Sequence, residues 1–271
     1  MWRTYLPHAL RILHQAGAGD MEERYELSFW VGRCLQVEGR IKEAVRCFEE
    51  CWRWRSGQFA EEHPSRLVSQ HELARAYQAD GQIKRAVALL EQVVTVQERT
   101  LAEEHPNRLA SQHVLGGAYG SDGQIKKAVA LLEQVVAVRE RTLAEEHPDR
   151  QTSQHVLGIA YQADGQIKKA VALLEQVVAV RERTLAEEHP DRLASQHNLA
   201  LAYQTEGDLP QVVELLEHVV TILGRTFAED HPSRLKAQWN LIHVYRAHGQ
   251  EQKAMDLEQR MAAVRTRHGI S

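Results

Sequence analysis

Apolar residues recur at steps of three and four along nearly the whole chain, and His-Pro and Asp-Gly pairs interrupt them at regular points. In QIKKAVALLEQVVAVRERT, residues Ile125, Ala128, Val129, Leu132, Val135, Val136 and Arg139 keep helical phase, which predicts an amphipathic helix. The pairs His63-Pro64, His105-Pro106, His147-Pro148, His189-Pro190 and His231-Pro232 mark five helix starts at a fixed step of 42 residues. Proline suits a first helical position because its missing N–H would have no partner there. Ser65, Asn107, Asp149, Asp191 and Ser233 follow and are expected to supply capping oxygens. Each such helix (helix A) ends at an Asp-Gly or Glu-Gly step, where glycine adopts the left-handed conformation. Helix B follows at once, and LAEEHP leads into the next copy. Loops this short force antiparallel pairs, so the fold class is all-α. A constant period of this size predicts an α-solenoid in which each unit buries its apolar face on its neighbours.

The ends follow the same pattern with altered composition. Residues 2–16 read as a helix on Leu6, Leu10 and Leu13; Gly17-Ala18-Gly19 breaks it, and Asp20 caps a helix over roughly 21–38. Val31, Gly32, Leu35, Gly39, Ala44 and Phe48 fall one period before Leu73, Ala74, Tyr77, Gly81, Ala86 and Leu90, a degenerate copy. Pro210 sits in a first turn, where proline is tolerated. The array closes with residues 232–247 and about 250–268. The expected organisation is therefore a capping helix (1–19), a degenerate repeat (20–62), four regular repeats (63–230) and a C-terminal capping repeat (231–271). That makes six helix pairs after one N-terminal helix.

Composition narrows the function. A formal charge of -4 with a pI near 6.4 gives no reason to expect nucleic acid, and no apolar run approaches a membrane span. The first residues do not read as a signal peptide, and three clustered cysteines without a framework suggest a reducing, cytoplasmic compartment. Histidines one period apart sit on neighbouring helices, roughly 8–10 Å apart, too far to share a metal ion. They read as caps (the His-Pro row) and as surface lining (the His71 row), and the second row is expected to charge near pH 6.5 and make binding pH-dependent. Cys51 takes the core position of Val93 and, with Cys34 and Cys47, reads as a small buried hydrophobe. The paired glutamates of each connector, such as Glu103-Glu104, read as solvated turns beside a helix start. No residues converge for catalysis, and no cofactor is expected.

The order Leu73, Ala74, Tyr77, Gly81, Ala86, Leu90, Val93 resembles the small-and-large pattern of tetratricopeptide repeats. The longer period, with Arg139-Glu140-Arg141-Thr142-Leu143 and then Glu145-Glu146-His147-Pro148-Asp149, looks like the kinesin light chain subtype. More narrowly, WRTYLPHALRIL, a degenerate repeat and then near-identical copies look like the C-terminal region of fungal NOD-like (NB-ARC) receptors. That resemblance implies a right-handed superhelix that senses a ligand on its concave side, after a nucleotide-binding domain; this sequence contains no GxxxxGK[ST] phosphate loop. It departs from two well-known binding modes of such repeats. Only Asn198 and Asn240 match the paired asparagines of kinesin light chains, and His71/Arg75 and Trp239/His243 do not form a carboxylate clamp.

The copies starting at His105 and His147 differ at six positions: Asn107/Asp149, Leu109/Gln151, Ala110/Thr152, Gly117/Ile159, Gly120/Gln162 and Ser121/Ala163. All lie on helix A, four of them on one helical face. In the family that face lines the concave groove. Free drift of exposed positions is the alternative, but helix B also has exposed positions, and those are identical. The groove rows are then Phe29, His71, His113, His155, His197 and Trp239; Arg33, Arg75, Gly117, Ile159, Leu201 and His243; and Gln36, Gln78, Gly120, Gln162, Gln204 and Arg246. An extended peptide or a partner helix suits such a surface, with Ile159 and Leu201 as anchors. The expected function is a protein- or peptide-binding module: a ligand-sensing region of a fungal receptor, or a free-standing scaffold or cargo adaptor. Unsatisfied end faces also permit self-association into a homo-oligomer.

Overall fold

Each helix starts and stops where the repeated residues dictate. In a computed structural model, which describes residues 2–15 and 21–268, thirteen α-helices and no strand occur among the described residues. They are α1 (Trp2–Gln15), α2 (Met21–Val37), α3 (Ile41–Gln58), α4 (Pro64–Ala79), α5 (Ile83–Thr100), α6 (Pro106–Ser121) and α7 (Ile125–Thr142). Then come α8 (Pro148–Ala163), α9 (Ile167–Thr184), α10 (Pro190–Glu206), α11 (Leu209–Thr226), α12 (Pro232–Ala247) and α13 (Glu251–His268). This is the expected helix followed by six pairs. The break at Gly17-Ala18-Gly19 and the cap at Asp20 lie outside the described residues.

The N-caps differ from expectation. The cap is the histidine itself: Nδ1 of His63, His105, His147, His189 and His231 accepts the backbone N–H two residues on, at 3.1–3.2 Å. Ser65, Asn107, Asp149, Asp191 and Ser233 thus give a backbone donor, not a capping oxygen. The imidazole reaches the orphan donor from an extended backbone (φ near -63°), which leaves the next position to proline. His63 and His231 also stack on Phe59 and Phe227, with ring centroids 4.0 and 4.1 Å apart. Between helices A and B the turn glycines, for example Gly81 and Gly165, hold φ of 75° and 76°, as the sequence requires.

The chain forms two compact units, Met1–Val138 and Arg139–Ser271. Within each, helices stack in chain order as a solenoid, each packed on its sequence neighbour. In the first unit the core runs through Leu35, Phe48, Leu73, Tyr77, Leu90 and Leu115. In the second, Leu174 and Leu199 belong to one cluster, and Leu216, Ile242, Tyr245 and Leu257 to another. Burying each leucine contributes about 1.5–3 kcal/mol. At two A-helix positions glycine leaves room for a leucine of helix B. A Cβ on Gly116 or Gly158 would lie 2.6 or 2.7 Å from Cγ of Leu132 or Leu174.

Candidate peptide-binding face

Helix A turns one side inward and leaves the other free. In α4, Leu67, Gln70, Leu73, Ala74 and Tyr77 are buried, whereas Val68 and Arg75 are exposed and His71 and Gln78 half-buried. The same phase leaves Thr152 and Ile159 exposed on α8, Gln204 exposed and Leu201 half-buried on α10, and Trp239, His243 and Arg246 exposed on α12. Among the described residues between Gly39 and Ala254, the large apolar side chains that stay exposed are Val68 (41%), Ile159 (39%) and Trp239 (44%). All three lie on this face. On α6 the corresponding Gly117 and Gly120 leave room, with only Gln78 Nε2, at 4.0 Å, near a Cβ placed on Gly117.

Phe29 is a correction to the predicted rows. It is 5% exposed and sits in the core, edge-on to Phe48 (5.8 Å) and beneath the Arg55 guanidinium (5.0 Å). The end repeat differs in carrying Phe48 where the following B helices have Leu90, Leu132 and Leu174; Gly32 leaves room for its ring, since a Cβ there would lie 3.0 Å from it. Arg33 is exposed and lies over the Trp30 ring at 5.5 Å.

The histidine row is also unlike a loose lining. His71 Nδ1 pairs with Ser111 Oγ at 3.1 Å, His155 Nε2 with Asn198 Nδ2 at 2.8 Å, and His197 Nε2 with Asn240 Nδ2 at 3.3 Å. Each bond ties one A helix to the next. Burial pulls the His71 and His155 pKa down to about 4, helped by Arg75 and His113 at the first and by Arg181 at the second. Burial and Lys236 lower His197 as well. The expected titration near pH 6.5 is therefore replaced by neutral imidazoles at pH 7. His113 is half-buried in the same row.

Other predicted residues have partners of their own. Arg75 pairs with Glu72 at 3.4 Å, and Gln162 donates to Thr205 at 3.3 Å. Trp239 meets His243 edge-on at 4.6 Å, and Arg246 is held by Glu258 at 2.6 Å and Glu251 at 3.5 Å.

Behind the face, polar ladders join successive repeats. Tyr77, Tyr119, Tyr203 and Tyr245 donate to Glu49, Glu91, Glu175 and Glu217 of the preceding B helix at 2.5–2.8 Å. The connector glutamates are more than solvated turns: Arg99 pairs with Glu61 and Glu62, Arg183 with Glu145 and Glu146, and Arg267 with Glu229. These pairs are exposed and align more than they stabilise. Deeper, Arg139 and Arg181 are buried and donate to the carbonyls of Asp149 and Asp191 at 2.7 Å, and burial lowers both guanidinium pKa values. The signal for this device was Arg139 standing in the apolar stripe of helix B. Cys51 is fully buried as expected, its thiol pushed up to about 11 by burial, while Cys34 and Cys47 are half-buried. Among the described residues no acidic, histidine or cysteine group is arranged to hold a metal ion, and no helix is long and apolar enough to cross a membrane.

A model of the tetratricopeptide repeat matches residues 25–99, 86–141, 109–183, 149–225 and 191–267. The chain belongs to the tetratricopeptide repeat family. Among solved structures, it is 53% identical to a Podospora anserina protein described as a kinesin light chain with nearly identical TPR-like repeats. The match covers 77% of this chain and 99% of that one, with a TM-score of 0.65. BtubC (BKLC) of P. vanneervenii is 19% identical over 86% of this tetratricopeptide repeat chain and 92% of its own, TM-score 0.67. A Rap protein complexed with competence and sporulation factor is 10% identical over 98% and 80% of the two chains, TM-score 0.68. The last two show a shared fold alone. No curated protein matches the chain.

Proposed function

We propose that this tetratricopeptide repeat chain is a non-catalytic scaffold that binds a protein or peptide on the outward face of its A helices. One observation carries the reading: among the described residues between Gly39 and Ala254, the exposed large apolar side chains, Val68, Ile159 and Trp239, fall on that face. Near-identical copies also diverge there while their B helices stay the same. Apolar anchors among adaptable polar groups are what an extended ligand needs. The finer proposal is the ligand-sensing region of a fungal NOD-like receptor, supported by the resemblance of the opening helix and degenerate repeat to that class.

The test is capture of partners from lysate with wild type beside Arg75→Ala/Ile159→Ala/Leu201→Ala, both first matched in helicity by circular dichroism. A partner retained by wild type and lost by the variant supports the face; equal recovery of every partner removes it. The likeness to the Podospora anserina protein favours a second reading, a free-standing scaffold of kinesin light chain type. A transcript that encodes an NB-ARC domain ahead of these repeats decides for the receptor; one without it decides for the scaffold.

A further inference from the structure

The buried arginine of helix B is replaced in two repeats, by Gln97 and by Leu223. Arg55, Arg139 and Arg181 occupy one repeated position, and each donates to the backbone carbonyl of the residue two past the next histidine cap. The acceptors are Ser65 at 3.0 Å, Asp149 at 2.7 Å and Asp191 at 2.7 Å. Arg139 also donates to Ser153 Oγ. Between α4 and α6 the same position is Gln97, whose shorter side chain carries no charge. It is 5% exposed, and its Oε1 is buried without a protein partner.

A cavity of about 520 Å³ opens here, lined by Gln97 together with Asn107 and Ser111, the counterparts of Asp149 and Ser153. The acceptors that an arginine uses in the sister repeats are present, and the arginine is not. Glu62 and Glu72 also line the cavity and give it negative charge, each already sharing a surface arginine. Leaving a buried amide oxygen unpaired costs free energy, which a donor from outside would recover. At the same position the α10–α12 cleft has Leu223, and its cavity of about 220 Å³ is walled by Leu193, Val219 and Phe227, so it does not share this chemistry.

We propose that the α4–α6 cleft binds the guanidinium of an arginine side chain supplied by the ligand. Gln97 Oε1, the Asn107 carbonyl and Ser111 Oγ accept its N–H groups, and Glu62 and Glu72 supply the charge complementarity. Arginine fits better than lysine because its flat fork of five donors meets several acceptors at once, as Arg139 does within the protein. The proposal rests on the A-helix face as the binding surface and names a ligand residue for it.

The probe is acetyl-Gly-Arg-Gly-amide, titrated into the full chain and followed by backbone amide NMR shifts, with the citrulline and lysine analogues alongside. The arginine peptide should shift amides of α4, the end of α5 and the start of α6, and citrulline, its neutral isostere, should not. Gln97→Arg, which restores the residue of the sister repeats, should fold and lose the response. Gln97→Leu, which removes the acceptor, should weaken it at least about tenfold, a cost in line with a lost charged hydrogen bond. An equal response from Gln97→Arg, an equal response to citrulline, or no shift at millimolar peptide each overturns the proposal. An absent peptide response, with partner capture still lost in the triple alanine variant, would leave the face standing and remove only the arginine site.

Discussion

At the residue scale, the histidines that recur from repeat to repeat divide into two rows with different chemistry. Those of the His-Pro pairs end their own loop by capping a helix, so each must offer an unprotonated Nδ1. Those of the His71 row join A helices sideways, and their neighbours explain their titration. His71 faces Arg75, His113 and Ser111; His155 faces Arg181, Asp191 and Asn198. With folded pKa values near 4 and an unfolded value near 6.5, the unfolded chain binds more protons between those limits. Stability contributed by these sites is therefore complete above about pH 6.5 and is lost as pH falls toward 4, by roughly 2–3 kcal/mol per site. The urea midpoint should drop from pH 7 to pH 4.5, and His71→Gln/His155→Gln should drop less. Carboxylates titrate in both proteins, so the difference between the two profiles isolates the imidazoles. Parallel profiles would take the pH response away from this row.

At the scale of the element, α6 is the least well provided of the A helices. Gly117 lies inside it with only Gln78 Nε2, at 4.0 Å, near a Cβ, and Gly120 lies in its last turn with open space there, although glycine in a helix interior costs about 0.5–1 kcal/mol relative to alanine. Gly117→Ala/Gly120→Ala should stabilise the chain by about 1 kcal/mol, most of it from Gly117, and raise the Tm by roughly 2–4 °C. A thermal melt that fails to rise would mean that another part of the protein uses that room. Gly116 is the contrast: it touches the Leu132 side chain and is spent on packing. Helix boundaries of this kind were legible in the sequence. His-Pro and Asp-Gly are local signals, and both ends of each regular A helix fall where they stand. What the sequence hid was the partner of each exposed position. Phase alone placed Phe29 beside His71, but phase does not report that Phe29 finds Phe48 to pack against in the core. Nor does it report that Asn198 and Ser111 engage the histidines, because those bonds join residues 40–43 apart in sequence.

For the whole molecule, the consequence of repetition is that stability accumulates by neighbours. Within each unit helices pack on their neighbours in the chain, and the A helices also meet directly, α4 with α6 and α8 with α10. These contacts join elements near one another in sequence, so the array should tolerate loss of an end better than a globular core of the same size would. The C-terminal pair α12–α13 tests this. It covers Val212, Val213 and Leu216 with Leu241, Ile242, Tyr245, Ala254, Leu257 and Met261, and through Tyr245 and Lys253 it holds Glu217. Glu217 has its carboxyl pKa lowered by exactly those donors, Tyr245 first, which marks the contact as favourable to the charged form. Removing residues 232–271 exposes that apolar surface and takes away about a seventh of the chain. In urea the truncated protein should unfold at a lower midpoint with an m-value smaller in proportion to the surface lost, while keeping the helical signal of the remaining pairs. Complete loss of helicity on truncation would mean that the last pair is a folding requirement and that the neighbour-by-neighbour account fails. Retained helicity with an unchanged m-value would mean that α12–α13 unfolds independently of the rest in the intact chain.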